Sequence, residues 1–289
     1  MKRTNSMLAG VLLILLSGSV LAEKKEWQSW PTGDRFRFGV SIYKPSIDTD
    51  LVLTAGPIRG SISLEQNFGL ADSKTLPQLN FSWRFFKRHS LRANYFKLDR
   101  SGAGTAPADL TLCPDNECLP PLPVEWPVNS YVDVDVLNIG YDYSVVFTEK
   151  MDWTLGVGLS VQDFRFGILT DDPFVLPGQS ADQIEVESKF TAPLPTLATS
   201  FTYALTDKWL LRAAFNWLEV DFSTGDSGKF DGSILGLDAA IQWKTFKHVG
   251  FILSYQAFDL DLKVDDGDEF SGDVKYDYRG PRLGVLGYF

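Results

Sequence analysis

Apolar and polar residues alternate along much of the chain. Leu79, Phe81, Trp83 and Phe85 interleave with Gln78, Asn80, Ser82 and Arg84, and Trp209, Leu211, Ala213, Phe215 and Trp217 interleave with Leu210, Arg212, Ala214 and Asn216. A period of two sends successive side chains to opposite faces of a β-strand. One apolar and one largely polar face suit a strand with lipid outside and a lumen inside. The segments are joined by short connections at Lys87-Arg88-His89, Thr148-Glu149-Lys150, Thr206-Asp207 and Thr245-Phe246-Lys247, flanked by Phe86, Phe147, Trp153, Trp209 and Trp243. Aromatics at turn level match the interfacial girdle of membrane barrels. The alternate connections, about 55–60, 102–129, 171–182, 224–231 and 265–272, are longer and richer in Gly, Pro and acid. The pattern predicts an all-β chain forming one transmembrane antiparallel up-and-down barrel. About ten strands are expected, and the break from Asn67 to Ser73 leaves a range of eight to twelve.

About nine residues above each short turn the apolar parity reverses. Val249, Phe251, Leu253, Tyr255 and Ala257 give way to Phe258, Leu260, Leu262 and Val264, which alternate with Asp259, Asp261 and Lys263. The same switch sets Leu218, Val220 and Phe222 against Glu219 and Asp221, and Phe164 and Phe166 against Asp163 and Arg165. Val134 precedes Leu137, and Tyr276 and Tyr278 precede Leu283, in the same way. A β-bulge in each strand would keep the apolar side in lipid throughout. Unbroken strands would instead carry the upper residues beyond the membrane, with acids facing water and apolar groups turned inward. A tilted strand needs only about 9 to 11 residues to cross, and the lower segments supply them, which favours unbroken strands.

The chain begins with Lys2 and Arg3, an apolar run from Met7 to Leu16, and Ser19-Val20-Leu21-Ala22 before Glu23. This reads as a signal peptide over 1–22, followed by a periplasmic segment over 23–33 and a barrel over 34–289. Net charge is −10, and removal of Lys2 and Arg3 leaves the rest more acidic. Nucleic acid is therefore not an expected partner, because phosphate recognition relies on clustered cations. An oxidising exported location makes a disulfide between Cys113 and Cys118 the expected state of the two cysteines.

The terminal segment from Tyr276 to Phe289 resembles the closing strand of bacterial outer-membrane proteins. With the export signal and the asymmetry of turns and loops, the chain resembles a Gram-negative outer-membrane β-barrel, looking like the small barrels grouped around OmpW and OmpX. That resemblance implies location in the cell outer membrane. It also implies contact with outer-membrane lipid and lipopolysaccharide, and recognition of Phe289 by the barrel assembly machinery.

For function, the lower lumen is expected to hold Arg84, Arg92, Asp142, Arg212, Asp238, Lys244 and Arg282 as a salt-bridged plug, since side chains nearly fill a narrow barrel. Above it the expected apolar lining is Val134, Phe164, Phe166, Leu218, Val220, Phe222, Phe258, Leu260, Tyr276 and Tyr278. Such a lining suits a small hydrophobic ligand, bound or passed sideways into the membrane, or else its side chains fill one another's space. An enzyme is not expected: the only histidines, His89 and His248, fall at periplasmic turns, away from an outer-leaflet substrate. No cofactor is expected and no metal site, as the acids at 265–269 lack a calcium-loop pattern. The alternative is a structural or surface-interaction barrel whose acidic loops contact lipopolysaccharide, ions or a host surface.

Overall fold

In chain order the strands are β1 (Phe36–Tyr43), β2 (Ser46–Ala55), β3 (Ile58–Ser63), β4 (Leu76–Phe86), β5 (His89–Thr105), β6 (Thr111–Leu112) and β7 (Pro127–Phe147). They continue with β8 (Met151–Asp171), β9 (Gln183–Ala204), β10 (Trp209–Ser223), β11 (Lys229–Trp243), β12 (Val249–Asp265) and β13 (Ser271–Tyr288). A 3-10 turn lies at Glu26–Ser29, and a short helix, α1 (Leu64–Phe68), lies between β3 and β4. This computed structural model describes residues 26–289 apart from 56–57, 108–109, 114–116, 121, 124, 172–182, 224–228 and 266–270. The expected signal peptide lies outside the described residues, as does most of the 171–182 loop.

Ten strands close the wall in the order β1, β4, β5, β7, β8, β9, β10, β11, β12 and β13, with β13 pairing back to β1. All four short connections fall where the alternation stops. The first and last wall strands are tied at the lower rim, where Phe36 and Phe289 exchange backbone hydrogen bonds of 2.8 and 2.9 Å. Around the lower wall the outward row is apolar, including Ile42, Ile139, Leu155, Val157, Leu237, Leu253 and Leu283, all exposed. Stacked aromatic pairs Phe36–Trp83 and Trp209–Trp243 mark the lower interface. An exposed apolar belt ended by aromatics is what a lipid bilayer solvates.

Phe147 departs from the expected girdle. A register irregularity between Ser144 and Val146 changes the strand's parity, so Phe147 turns inward and is buried. Described pairings show further irregularities only between Arg84 and Phe86 and between Ser271 and Gly272. None lies at the height where the apolar parity reverses. β12 pairs without a shift from Val249 to Asp265, yet Leu253 is 54% exposed and Leu260 only 2%. The strands run on unbroken, and the environment outside them changes.

The sequence break at 67–73 has a structural cause. β4 begins at Leu76, opposite Tyr43, and its last pairing with β5 is Gln78 with Phe96. Above that level β2 continues the wall along β13, but among the described residues no strand joins β2 to β5. Residues 64–75 occupy the gap. Ile47 N donates to Asp72 O at 2.7 Å, Ser46 bridges Ser73, and Lys74 Nζ donates to Asp99 O.

Helix α1 lies against the inner face of β5. A Cβ on Gly102 would sit 2.5 Å from Phe68 O, and one on Gly104 would sit 2.0 Å from Asn67 O, so only glycine permits this backbone contact. Gly69 ends the helix in the left-handed region, at φ 61°. The buried guanidinium of Arg100 holds the junction. It pairs with Glu65, donates to Thr49 Oγ1 at 2.8 Å and to Ala71 O at 3.3 Å, and so ties α1 to both β2 and β5.

Candidate functional site: the lumen

The upper lumen is a packed apolar core. Val134, Phe164, Phe166, Leu260, Tyr276 and Tyr278 are buried in one cluster, and Leu218 and Phe258 pack against it partly buried. The side chains of Val220 and Phe222 lie outside the described residues. What fills the space is the chain itself. Ile58 and Ile62 of β3, Leu64 and Phe68 of α1, Leu112 of β6 and Leu110 just before it are all buried in the same cluster. Phe68 stacks on Phe166 with centroids 6.0 Å apart, Phe258 stacks on Tyr278 at 4.8 Å, and Phe164 meets Tyr276 edge-on at 5.9 Å. β3 pairs with β2 through Leu51 and Ile62 and with β6 through Ile58 and Leu112, and it approaches β9 across the barrel. The Cys113–Cys118 disulfide closes the chain just beyond β6. Each fully buried Leu, Ile or Phe contributes about 1.5 to 3 kcal/mol, so these insertions hold the extracellular half together.

The lower lumen is polar and incompletely filled. Its lining surrounds a cavity of about 240 Å³. Five of the seven expected charges are engaged within it, in three ion pairs. Arg84 pairs with Asp152, donates to Ser144 Oγ at 2.9 Å and lies 4.3 Å from the Phe147 ring centroid. Arg92 pairs with Asp142. Arg282 reaches Asp238 at 3.1 Å and donates to Ser254 Oγ at 2.8 Å. Lys244 belongs to the mouth below, 2.6 Å from Asp34. Arg212 lines the cavity without an ion pair among the described residues, and so does Arg37. The expected plug is therefore a set of wall-bound pairs around an open volume. Arg37, Asp34 and Asp152 were not singled out in the sequence. Arg37 could have been, since it shares the inward parity of Gly39 and Ser41.

The N-terminal segment crosses the lower mouth. Trp27 is buried against Phe147, and Trp30 lies 5.1 Å from the same ring. Thr32 Oγ1 donates to Thr148 O at 3.2 Å, while Lys244 Nζ donates to Pro31 O at 2.6 Å. These contacts join the β7–β8 turn to the end of β11. Both histidines sit at this end: His89 Nδ1 is 2.6 Å from Tyr141 Oη, and His248 stacks on Phe289.

Beyond the lipid the outward rows are charged, with acids in excess over Lys97, Lys189, Lys263 and Lys275, which form exposed ion pairs among them. Asp277 stands beside Asp259 on one side and Asp48 on the other, and Lys275, two residues earlier, stands between Asp261 and Asp50. Partial burial raises the pKa of the Asp277 carboxyl, and Asp48 and Asp259 add to the shift. Asp133 is raised in the same way, first by burial and then by Asp99 opposite. Among the described residues no group of three or more His, Cys, Asp or Glu is arranged to hold a metal ion.

No family model and no curated relative matches the sequence. Among solved structures the chain is similar to the outer membrane protease OmpT from Escherichia coli, with TM-score 0.58 and 9% identity over 89% of this chain and 98% of that one. The toluene transporter TbuX of Ralstonia pickettii matches with TM-score 0.36 and 13% identity over 90% of this chain and 91% of that one. Ail, the attachment invasion locus protein of Yersinia pestis, matches with TM-score 0.30 and 7% identity over 88% and 98%. At these identities the likeness to OmpT establishes the fold, that of an outer-membrane β-barrel.

Proposed function

We propose that this outer-membrane barrel is a non-enzymatic surface-interaction protein, whose filled extracellular half presents rows of carboxylates to the lipopolysaccharide layer through divalent cations. The observation that carries this reading is the packing of the upper lumen by β3, α1 and β6. A hydrophobic ligand would need the volume that Ile58, Ile62, Phe68 and Leu112 occupy. A rigid head with its acids turned outward suits contact along its flank. In that setting Mg²⁺ or Ca²⁺ would bridge Asp48, Asp259 and Asp277 to lipid phosphates, with no dedicated cage in the protein. The non-enzymatic part rests on both histidines lying at the lower rim, where neither can serve as general base on the outer face. Phe289, exposed and paired to Phe36, is where we place recognition by the barrel assembly machinery.

The test compares binding of purified lipopolysaccharide to the folded barrel and to the triple variant Asp48→Asn, Asp259→Asn, Asp277→Asn, with Mg²⁺ and with a chelator. Mg²⁺-dependent binding lost in the variant is expected. Equal binding by both proteins, or a defined apolar molecule retained by the wild type in native mass spectrometry, would overturn the reading.

A further inference from the structure

The cavity of the lower lumen has a charge imbalance. Five arginines line it against three aspartates, and the three ion pairs described above use every aspartate. Arg37 and Arg212 are left over. In each the Nε is buried with no hydrogen-bond partner, and each side chain lines the same cavity. They come from well-separated wall strands, Arg37 beside Ser82 and Arg212 beside Thr202; Asp238 is a diagonal neighbour of Arg212, yet among the described residues no carboxylate lies within ion-pair distance of either arginine. Asp238 is already engaged by Arg282 and by Gln256 Nε2 at 2.9 Å, and Asp142 by Arg92.

Two guanidiniums facing one cavity without a directly paired carboxylate is an unfavourable arrangement for a barrel alone. Water can accept their N–H bonds but cannot compensate their charge, whereas an oxyanion does both, and the planar fork of arginine matches carboxylate and phosphate oxygens. Hydroxyl and amide donors from Ser82, Thr202 and Asn216 line the same space. Its volume, about 240 Å³, is several times the roughly 30 Å³ share of one water molecule. We infer that the lower lumen is a binding site for a small oxyanion, of the phosphate or carboxylate class, held between Arg37 and Arg212. The segment Trp27 to Asp34 lies across its periplasmic mouth, so the anion enters from the periplasm or is enclosed as the barrel folds.

The experiment uses the chain folded in detergent, with inorganic phosphate as probe at constant ionic strength and folding carried out both with and without it. Wild type should show a saturable rise in Tm with phosphate. In Arg37→Gln and Arg212→Gln the apparent Kd should rise about tenfold or more, while the phosphate-free Tm stays level or rises because the repulsion is gone. Arg212→Lys, which keeps the charge but not the fork, should fall between. A wild-type Tm indifferent to phosphate would overturn the site. So would Gln variants that fold, judged by heat-modifiable gel mobility, but lose stability equally with and without phosphate. The wild-type titration stands even if a variant fails to fold.

Discussion

The lower and upper halves of this barrel are built from the same strands and have opposite interiors. Below the level of Tyr95 and Leu137 the wall is apolar outside and polar inside, and a cavity remains between its ion pairs. Above that level acids face out, apolar side chains face in, and the chain folds two further strands and a helix into its own lumen. The difference follows from the solvent outside. Lipid gives the lower strands a place for apolar groups, so the lumen can remain hydrated and loosely filled. Water offers no such place to the upper strands, and they bury their apolar groups inward as a soluble domain does.

The sharpest way to break this comparison is to reverse one residue on each face of β12. Leu260→Asp puts a carboxylate without a partner into the upper core and should cost more than about 4 kcal/mol in urea unfolding from vesicles, a loss that only core disruption produces. Asp261→Leu on the outward face should stay within about 0.5 kcal/mol. Similar effects would mean that Leu260 does not face the core and Asp261 does not face water.

The Arg100 junction tests whether the inserted plug and the wall are one cooperative unit. Arg100→Met leaves Glu65 half-enclosed without its counter-charge and should cost about 3 to 5 kcal/mol, most of it recovered in Arg100→Met with Glu65→Leu. Hydrogen exchange should show the loss over 58–68 before it reaches β7 to β9. Uniform loss along the wall would mean that the insertion is not separable from the barrel.

Lipid itself is probed by Leu253→Arg, on the same strand below the switch. A cation there should cost about 2 to 4 kcal/mol, whereas Asp259→Arg, six residues further up and outward in water, should cost far less. Equal costs would place the upper outward row inside the membrane and remove the basis of the surface reading.

Much of this was legible in the sequence because period-two alternation and solvent act residue by residue. The four short turns, the ten-strand wall and the reversal on β12 are all local patterns. The lumen contents were not legible, because they depend on long-range partners. Nothing near Arg100 in the sequence names Glu65, and the glycines at 102 and 104 read as loop residues until α1 is seen against them. Leu110, Leu112 and Leu122 were the available hint, being apolar residues in a connection otherwise assigned to the surface. The lower charges were recognised, but their pairing was not. Parity places Arg212 inside without saying that each lumen aspartate is paired with another arginine.

The smallest predicted effect sharpens the outer face alone. The Asp277 carboxyl sits between Asp48 and Asp259, and its pKa is raised in the folded protein by partial burial and by both neighbours. A raised acid binds its proton more tightly folded than unfolded, so its contribution to stability falls as pH rises from near 4 through the folded pKa, and is unfavourable above it. Asp277→Asn removes the charge at every pH. At pH 7 the variant should be the more stable protein, by no more than about 0.5 to 1 kcal/mol since the site is partly open to water. The advantage should shrink as pH falls through the folded pKa and vanish below about pH 3.9, the unfolded carboxyl value, where the group is neutral in both states. Mg²⁺ should narrow the gap at pH 7 if cations gather along this row. An advantage independent of pH would assign the effect to packing and remove the case for electrostatic strain across β2, β13 and β12.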